Sequence, residues 1–199
     1  KILATFAVII IHVSANQWYT TNPSSFEWNI FNFYDSIARW AVPIFVMISG
    51  ALFLDNRKTL DIKKLYKKNI LRIITAFIFW SAFYSIITYA LGGDDKGNIK
   101  LFIESFIVGH YHLWFLYMIV GLYIMTPILR KITADQKTTE YFLIISVIFS
   151  FIIPTLFKLP GLSNTSTILE YINLNFGYIT YFVLGYYLSI KEILPQKRK

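Results

Sequence analysis

The residue best placed to do chemistry is His12, set in the apolar run KILATFAVIIIHVSANQW at residues 1–18. On an α-helix at about 100° per residue, Lys1, Thr5, His12 and Asn16 fall within roughly 60° of one another. The other faces carry Ile, Leu, Val, Phe and Ala. An imidazole, with an unperturbed pKa near about 6.5, exchanges protons at neutral pH. A titratable group at membrane depth is expelled from lipid unless it faces protein or a wet crevice. Residue type alone leaves two uses open: a functional group in such a crevice, or one packing hydrogen bond between helices.

A second candidate is the basic stretch DNRKTLDIKKLYKKNILR, residues 55–72. Lys64, Lys68 and Arg72 repeat at i, i+4 and i+8, while Ile62, Leu65, Tyr66, Asn69 and Ile73 share another face. Asp61 can cap the helix that this pattern predicts. The stripe suits phosphate groups. It also suits plain attraction to anionic lipid, worth about 1 kcal/mol per cation. Asp35 and Arg39 are spaced as a helical ion pair, with Arg39 able to reach the membrane surface. His110 reads as a loop residue, and His112 with Trp114 opens an apolar run from its outer side. Neither histidine spacing supplies enough ligands for a metal, so no metal site is expected. None of the 11 acidic residues lies clearly within an apolar run, which leaves His12 without a carboxylate to orient it. The chain has no cysteine, which excludes disulfides, thiolate metal sites and a Cys nucleophile.

These groups need an apolar scaffold to hold them. Hydrophobic residues make up 56% of the 199 and charged residues only 15%, with a mean hydropathy of +0.53. Soluble domains carry about 25% charged residues. The fold class predicted is all-α: a polytopic transmembrane helical bundle of about six spans, each near the ~17–25 residues that cross a bilayer. The expected spans are Ile2–Trp18, Ser36–Leu54, Ile70–Leu91, Leu113–Leu129, Tyr141–Phe157 and Leu174–Ile190. Tyr19–Tyr34 reads as an external loop, Leu101–Val108 as a helix too short to cross, and Pro154 as an interruption of the fifth span. The net charge of +8 falls mostly in alternate loops. That is a topology signal rather than a nucleic-acid footprint, and it places both ends in the cytoplasm. With no internal repeat or linker, residues 1–199 read as one membrane domain.

Four segments then resemble one family. They are AVIIIHV ending just past His12, AVPIFVMISGALFL at 41–54, YKKNILRI at 66–73, and HLWFLYMIVGLYIMTPIL at 112–129. YFVLGYYL at 181–188 is also similar to a late span of that family. The chain resembles the acyltransferase-3 family of bacterial membrane O-acyltransferases, which modify cell-surface glycans. The resemblance implies that His12 is the general base, with Lys1 where the family carries arginine. It implies acyl-donor binding at the start of the third span, where an Arg-x-x-Arg pair reads Asn69 and Arg72 here, with Lys68 beside them. It also implies a domain of about ten spans, of which this chain would lack the last third.

Together these expectations describe a multi-pass protein of the bacterial plasma membrane. It would move an acyl group, acetyl in the first instance, from cytoplasmic acyl-CoA to a glycan or lipid-linked sugar hydroxyl. Lys1, Lys68 and Arg72 would meet the donor phosphates, and acyl-CoA would be a co-substrate rather than a resident cofactor. Asn16, Arg39, His112 and Trp114 would line the acceptor side. A transporter or flippase for lipid-linked saccharides uses a wet polar stripe equally well. A non-catalytic membrane module of a larger protein is the third reading.

Overall fold

In a computed structural model, residues 2–15, 20–91, 97–157 and 166–190 are described, with 91, 111, 157 and 166–176 described in backbone alone. Among them every regular element is helical and no strand occurs. The helices are α1 (Ile2–Ala15), α2 (Phe26–Ala38), α3 (Ala41–Phe53), α4 (Leu71–Leu91), α5 (Ile99–Val108), α6 (Trp114–Ile132), α7 (Gln136–Val147) and α8 (Ser166–Ile190). A turn of helix, Ile62–Lys64, and a π-helical segment, Leu65–Ile70, lead into α4. A second π segment, Ile148–Ile152, carries α7 on to the short helix Ile153–Phe157.

Four stretches are long and apolar enough to cross a membrane: Phe26–Phe53, Ile62–Ala90, Trp114–Ile132 and Gln136–Leu156. They answer to the second, third, fourth and fifth expected spans. The first is described as the 14 residues of α1, about 21 Å at 1.5 Å per residue against a hydrocarbon core of about 30 Å. The sixth falls within the 25 residues of α8.

Three expectations are corrected. The supposed external loop is helical from Phe26 onward, because Ser25 caps α2 by accepting the Trp28 amide at 3.1 Å. The regular helix is broken only at Arg39–Trp40, which keep right-handed helical angles, where Pro43 has no amide to donate and its ring opposes the carbonyl four residues back. Pro154, read as an interruption of the fifth span, lies within the helical stretch Gln136–Leu156. It follows directly on a π turn, whose extra residue widens the helix where the proline ring needs room. The five-residue face predicted on the basic helix is also absent. Leu65 and Ile70 are the buried pair, five apart as an i→i+5 turn dictates, while Ile62 and Tyr66 are exposed.

The chain packs as two units, Lys1–Asp55 with Ile132–Lys199, and Asn56–Lys131. In the first, α1 lies on α2 and α3 through small residues: Ala7, Ala38 and Ala41, with Val8 and Ile11 against them. Between apolar helices in lipid, close backbone approach replaces the hydrophobic drive. The same device joins α3 to α8. A Cβ on Gly50 would stand 1.8 Å from the Phe182 carbonyl oxygen, and one on Gly185 would stand 2.0 Å from that of Met47. Gly50 therefore sits in close backbone contact with Phe182. Asp135 caps α7 through the Thr138 amide at 2.8 Å, and Tyr187 of α8 donates to Glu140 at 2.8 Å. In the second unit, Ser81 of α4 donates to the Phe106 carbonyl of α5 at 2.5 Å. The Tyr117 hydroxyl of α6 donates to the Ile107 carbonyl.

Candidate functional site

In the first unit, α1 buries Ala4, Ala7 and Ser14. His12 lies to one side of that seam and is half-buried, with Thr5 more exposed on the same flank. The remaining members of the predicted stripe, Lys1 and Asn16, lie outside the described residues. Asp35 was expected at the outer end of a span, yet it lies well inside the 28-residue stretch Phe26–Phe53. Its side chain is only 3% exposed, and one oxygen accepts from Arg39 Nε at 2.5 Å. The expectation that no acidic residue lies within a span is therefore corrected. It failed because α2 begins at Phe26, nine residues ahead of Asp35. The ion pair itself forms at the predicted i, i+4 spacing, so Arg39, expected to line the acceptor side, spends its Nε on Asp35.

In the second unit, Lys63, Lys64, Lys67, Lys68 and Arg72 are all exposed around the entry to α4. Asp61 caps this entry through the Lys64 amide at 3.0 Å, as predicted. Arg130, at the end of α6, adds a contact that spacing in the sequence does not reveal. Its Nε donates to Asn56 Oδ1 at 3.2 Å and its Nη2 to the Lys58 carbonyl. Those two bonds tether the segment that carries Arg57 and Lys58, so both ends of the basic stretch are anchored within one unit.

The far end of α4 has the opposite character. Asn98 starts α5 by accepting from the Lys100 and Leu101 amides. Gly109 ends it at φ +76°, a left-handed geometry that side chains rarely adopt, and a Cβ there would meet Phe77 at 2.8 Å. That turn brings His110 back toward α4. Its Nδ1 lies 2.7 Å from His112 Nδ1, so one ring donates and the other accepts. Tyr84 packs against both, with ring centroids at 4.6 Å and 5.0 Å. Beside this cluster is a cavity of about 370 Å³ whose polar lining is Tyr84, Ser85, Thr88, Glu104, Ser105 and His110. Ser85 is 1% exposed, and its hydroxyl has no hydrogen-bond partner. Trp114 and Tyr117 share a second cavity of about 440 Å³ with His110. Of the residues expected on the acceptor side, His112 and Trp114 thus stand together. His110, read as a loop residue, lines both cavities, as do Val108 and Gly109. Arg72 and Ser85 are thirteen residues apart on the single helix α4, about 20 Å along its axis. No group of three or more possible metal ligands occurs among the described residues.

Apolar helices of spanning length, small-residue seams and polar groups held among them define a multi-pass α-helical membrane protein. The match to the family described as an acyltransferase domain covers residues 1–199, and the chain belongs to the acyltransferase-3 family. Relatives include the probable poly-β-1,6-N-acetyl-D-glucosamine export proteins of Staphylococcus aureus strains MSSA476 and MW2, each 28% identical. That of strain MRSA252 is 27% identical. Each alignment takes in 77% of this chain and 44% of the relative. The chain therefore spans less than half the length of these curated relatives. No solved structure matches it.

Proposed function

We propose that the protein is a membrane O-acyltransferase that moves an acyl group, acetyl in the first instance, from acyl-CoA to a hydroxyl of a cell-surface or lipid-linked glycan. The observation that carries this reading is the make-up of the second unit. One helix has a dense cationic entry at one end and a hydroxyl-rich cavity about 20 Å along it. A donor with several phosphates and an acceptor with several hydroxyls call for those two unlike surfaces. The cations Lys68 and Arg72, with Lys1, meet the donor phosphates on the cytoplasmic side of a bacterial plasma membrane, where both ends of the chain lie. Asn16, Arg39, His112 and Trp114 face the acceptor.

His12 is the general base. It takes the proton of the acceptor hydroxyl as that oxygen attacks the thioester carbonyl. The new C–O bond forms, the C–S bond breaks, and the CoA sulfur leaves with the proton that the imidazolium returns. A neutral imidazole is the form that accepts the proton.

The experiment is His12→Ala in the full-length protein, with transfer from labelled acetyl-CoA followed to product. Loss of a general base lowers the rate by about 10²–10⁴-fold; unchanged transfer overturns the assignment. The relatives' name favours a second reading, polysaccharide export. Saccharide flux that persists in the variant without any acylated product in the parent protein supports export instead.

A further inference from the structure

We infer that the cavity between α4 and α5 is a binding site for one sugar ring of a neutral, hydroxyl-bearing saccharide. This deepens the acyltransferase reading, on which it rests for the saccharide's role as acceptor. The lining is the first argument. Of nine lining residues, six offer polar side-chain groups: Tyr84, Ser85, Thr88, Glu104, Ser105 and His110. The wall combines apolar surface with several placed hydrogen-bonding groups, the make-up of a small-molecule site. Many hydrogen-bonding groups around a small volume suit a ligand that presents hydroxyls on most of its edges. At about 370 Å³ the volume is at the lower end of the range for small ligands.

The second argument is Ser85. A hydroxyl buried this deeply ordinarily has a partner, because losing water without gaining a bond is unfavourable. Ser81, one turn earlier on α4, obeys that rule by donating to the Phe106 carbonyl. Ser85 lines the cavity and has no partner. A ligand hydroxyl in the cavity supplies one.

The third argument is charge. Glu104 is the one charged side chain in the lining. Lys100 Nζ lies 3.9 Å from it and is mostly exposed. A carboxylate accepts strong hydrogen bonds from a pair of hydroxyls and repels an anion. The donor's phosphates are therefore excluded from this cavity and sent to the cationic entry of α4. The two ends of one helix thus select unlike chemistry.

The probe is a β-1,6-linked N-acetylglucosamine trisaccharide, titrated against the full-length protein in nanodiscs, with acetyl-CoA titrated in parallel. Glu104→Gln and Ser85→Ala are each expected to weaken trisaccharide binding, the former on the order of tenfold, with acetyl-CoA binding unchanged. Ser85→Ala is also expected to leave the unfolding temperature unchanged or slightly raised, because it removes a hydroxyl that had no partner. A merely structural serine would not separate binding from stability in that direction. Glu104 is half exposed, so its variant keeps the test valid even if the buried one misfolds. Equal trisaccharide affinity in parent and both variants overturns the inference, as does a parent protein that binds no trisaccharide. If acyl transfer depends on His12 while the cavity variants bind sugar normally, the cavity fails and the acyltransferase survives. If no acyl transfer occurs yet the variants lose sugar binding, the acyltransferase fails and the cavity stands.

Discussion

Replacing Gly50 by alanine tests the packing that holds α3 against α8. The added Cβ would lie 1.8 Å from the Phe182 carbonyl oxygen and 2.6 Å from its carbonyl carbon. Both are backbone atoms of a helix, so no side chain can rotate away. Real Cβ contacts essentially never fall under 3.0 Å, so the helices must separate by at least about 1.2 Å at this point. Overpacking of this kind costs about 1–3 kcal/mol, and the separation also loosens Val46 and Val183, both fully buried. Alanine gains about 1 kcal/mol in helix propensity over glycine, which offsets part of this.

A net loss of about 1 kcal/mol lowers the unfolding temperature by about 2–4 °C in a chain of this size. Gly121 of α6 supplies the control. A Cβ there meets nothing within 4 Å, so Gly121→Ala should be neutral or stabilise by up to about 1 kcal/mol. Gly185→Ala should behave like Gly50→Ala, because its Cβ would meet the Met47 backbone. The double variant Gly50→Ala/Gly185→Ala should cost less than the two singles summed, since one separation relieves both clashes. The measurement is thermal unfolding in detergent, followed by circular dichroism. Equal unfolding temperatures for Gly50→Ala and Gly121→Ala would refute the reasoning.

Two more perturbations have defined outcomes. Arg130→Gln should release the segment Asn56–Lys58, seen as faster amide hydrogen exchange there, and weaken acyl-CoA binding on the order of tenfold. Arg130→Lys should not restore it, because an ammonium lacks the fork that reaches both acceptors; unchanged exchange at those residues would refute the tether. Asp135 should add an acid-sensitive element to the first unit. The Thr138 amide, and then its hydroxyl, hold the carboxyl below the ordinary aspartate value of 3.8. Its contribution to stability is therefore fully present above about pH 3.8 and is lost as the pH falls through the lowered folded value. Unfolding midpoints compared between pH 6 and pH 3 should fall less in Asp135→Ala than in the parent protein. An identical fall in both would refute the cap's role.

Much of the scaffold was legible in the residues because the signals are local. Apolar runs of spanning length need only composition to be read, and the caps at Asp61 and the pair Asp35–Arg39 need only neighbours three or four positions away. The start of α2 was misread because aromatic and polar residues from Tyr19 to Tyr34 resemble an interfacial loop. The signal that outweighs them is the serine at position 25, followed by a helix-forming run. The basic stripe was legible as charge. Its π turn was not, since an i→i+5 segment depends on how Leu65 and Ile70 are buried.

The sequence by itself determined that this is an all-helical membrane chain of the acyltransferase-3 family, with its cations gathered before α4 and one imidazole in its first helix. Hydropathy, charge and short motifs are properties of consecutive residues, so they survive without a fold. Only the tertiary structure decided that Gly50 meets Phe182, that Arg130 reaches back to Asn56 and Lys58, and that His110, Ser85 and Glu104 surround one cavity. Gly50 and Phe182, Arg130 and Asn56, and His110 and Ser85 are tens to more than a hundred positions apart along the chain. Each contact depends on which helices pack together and in what register, and no local pattern in the sequence encodes that choice.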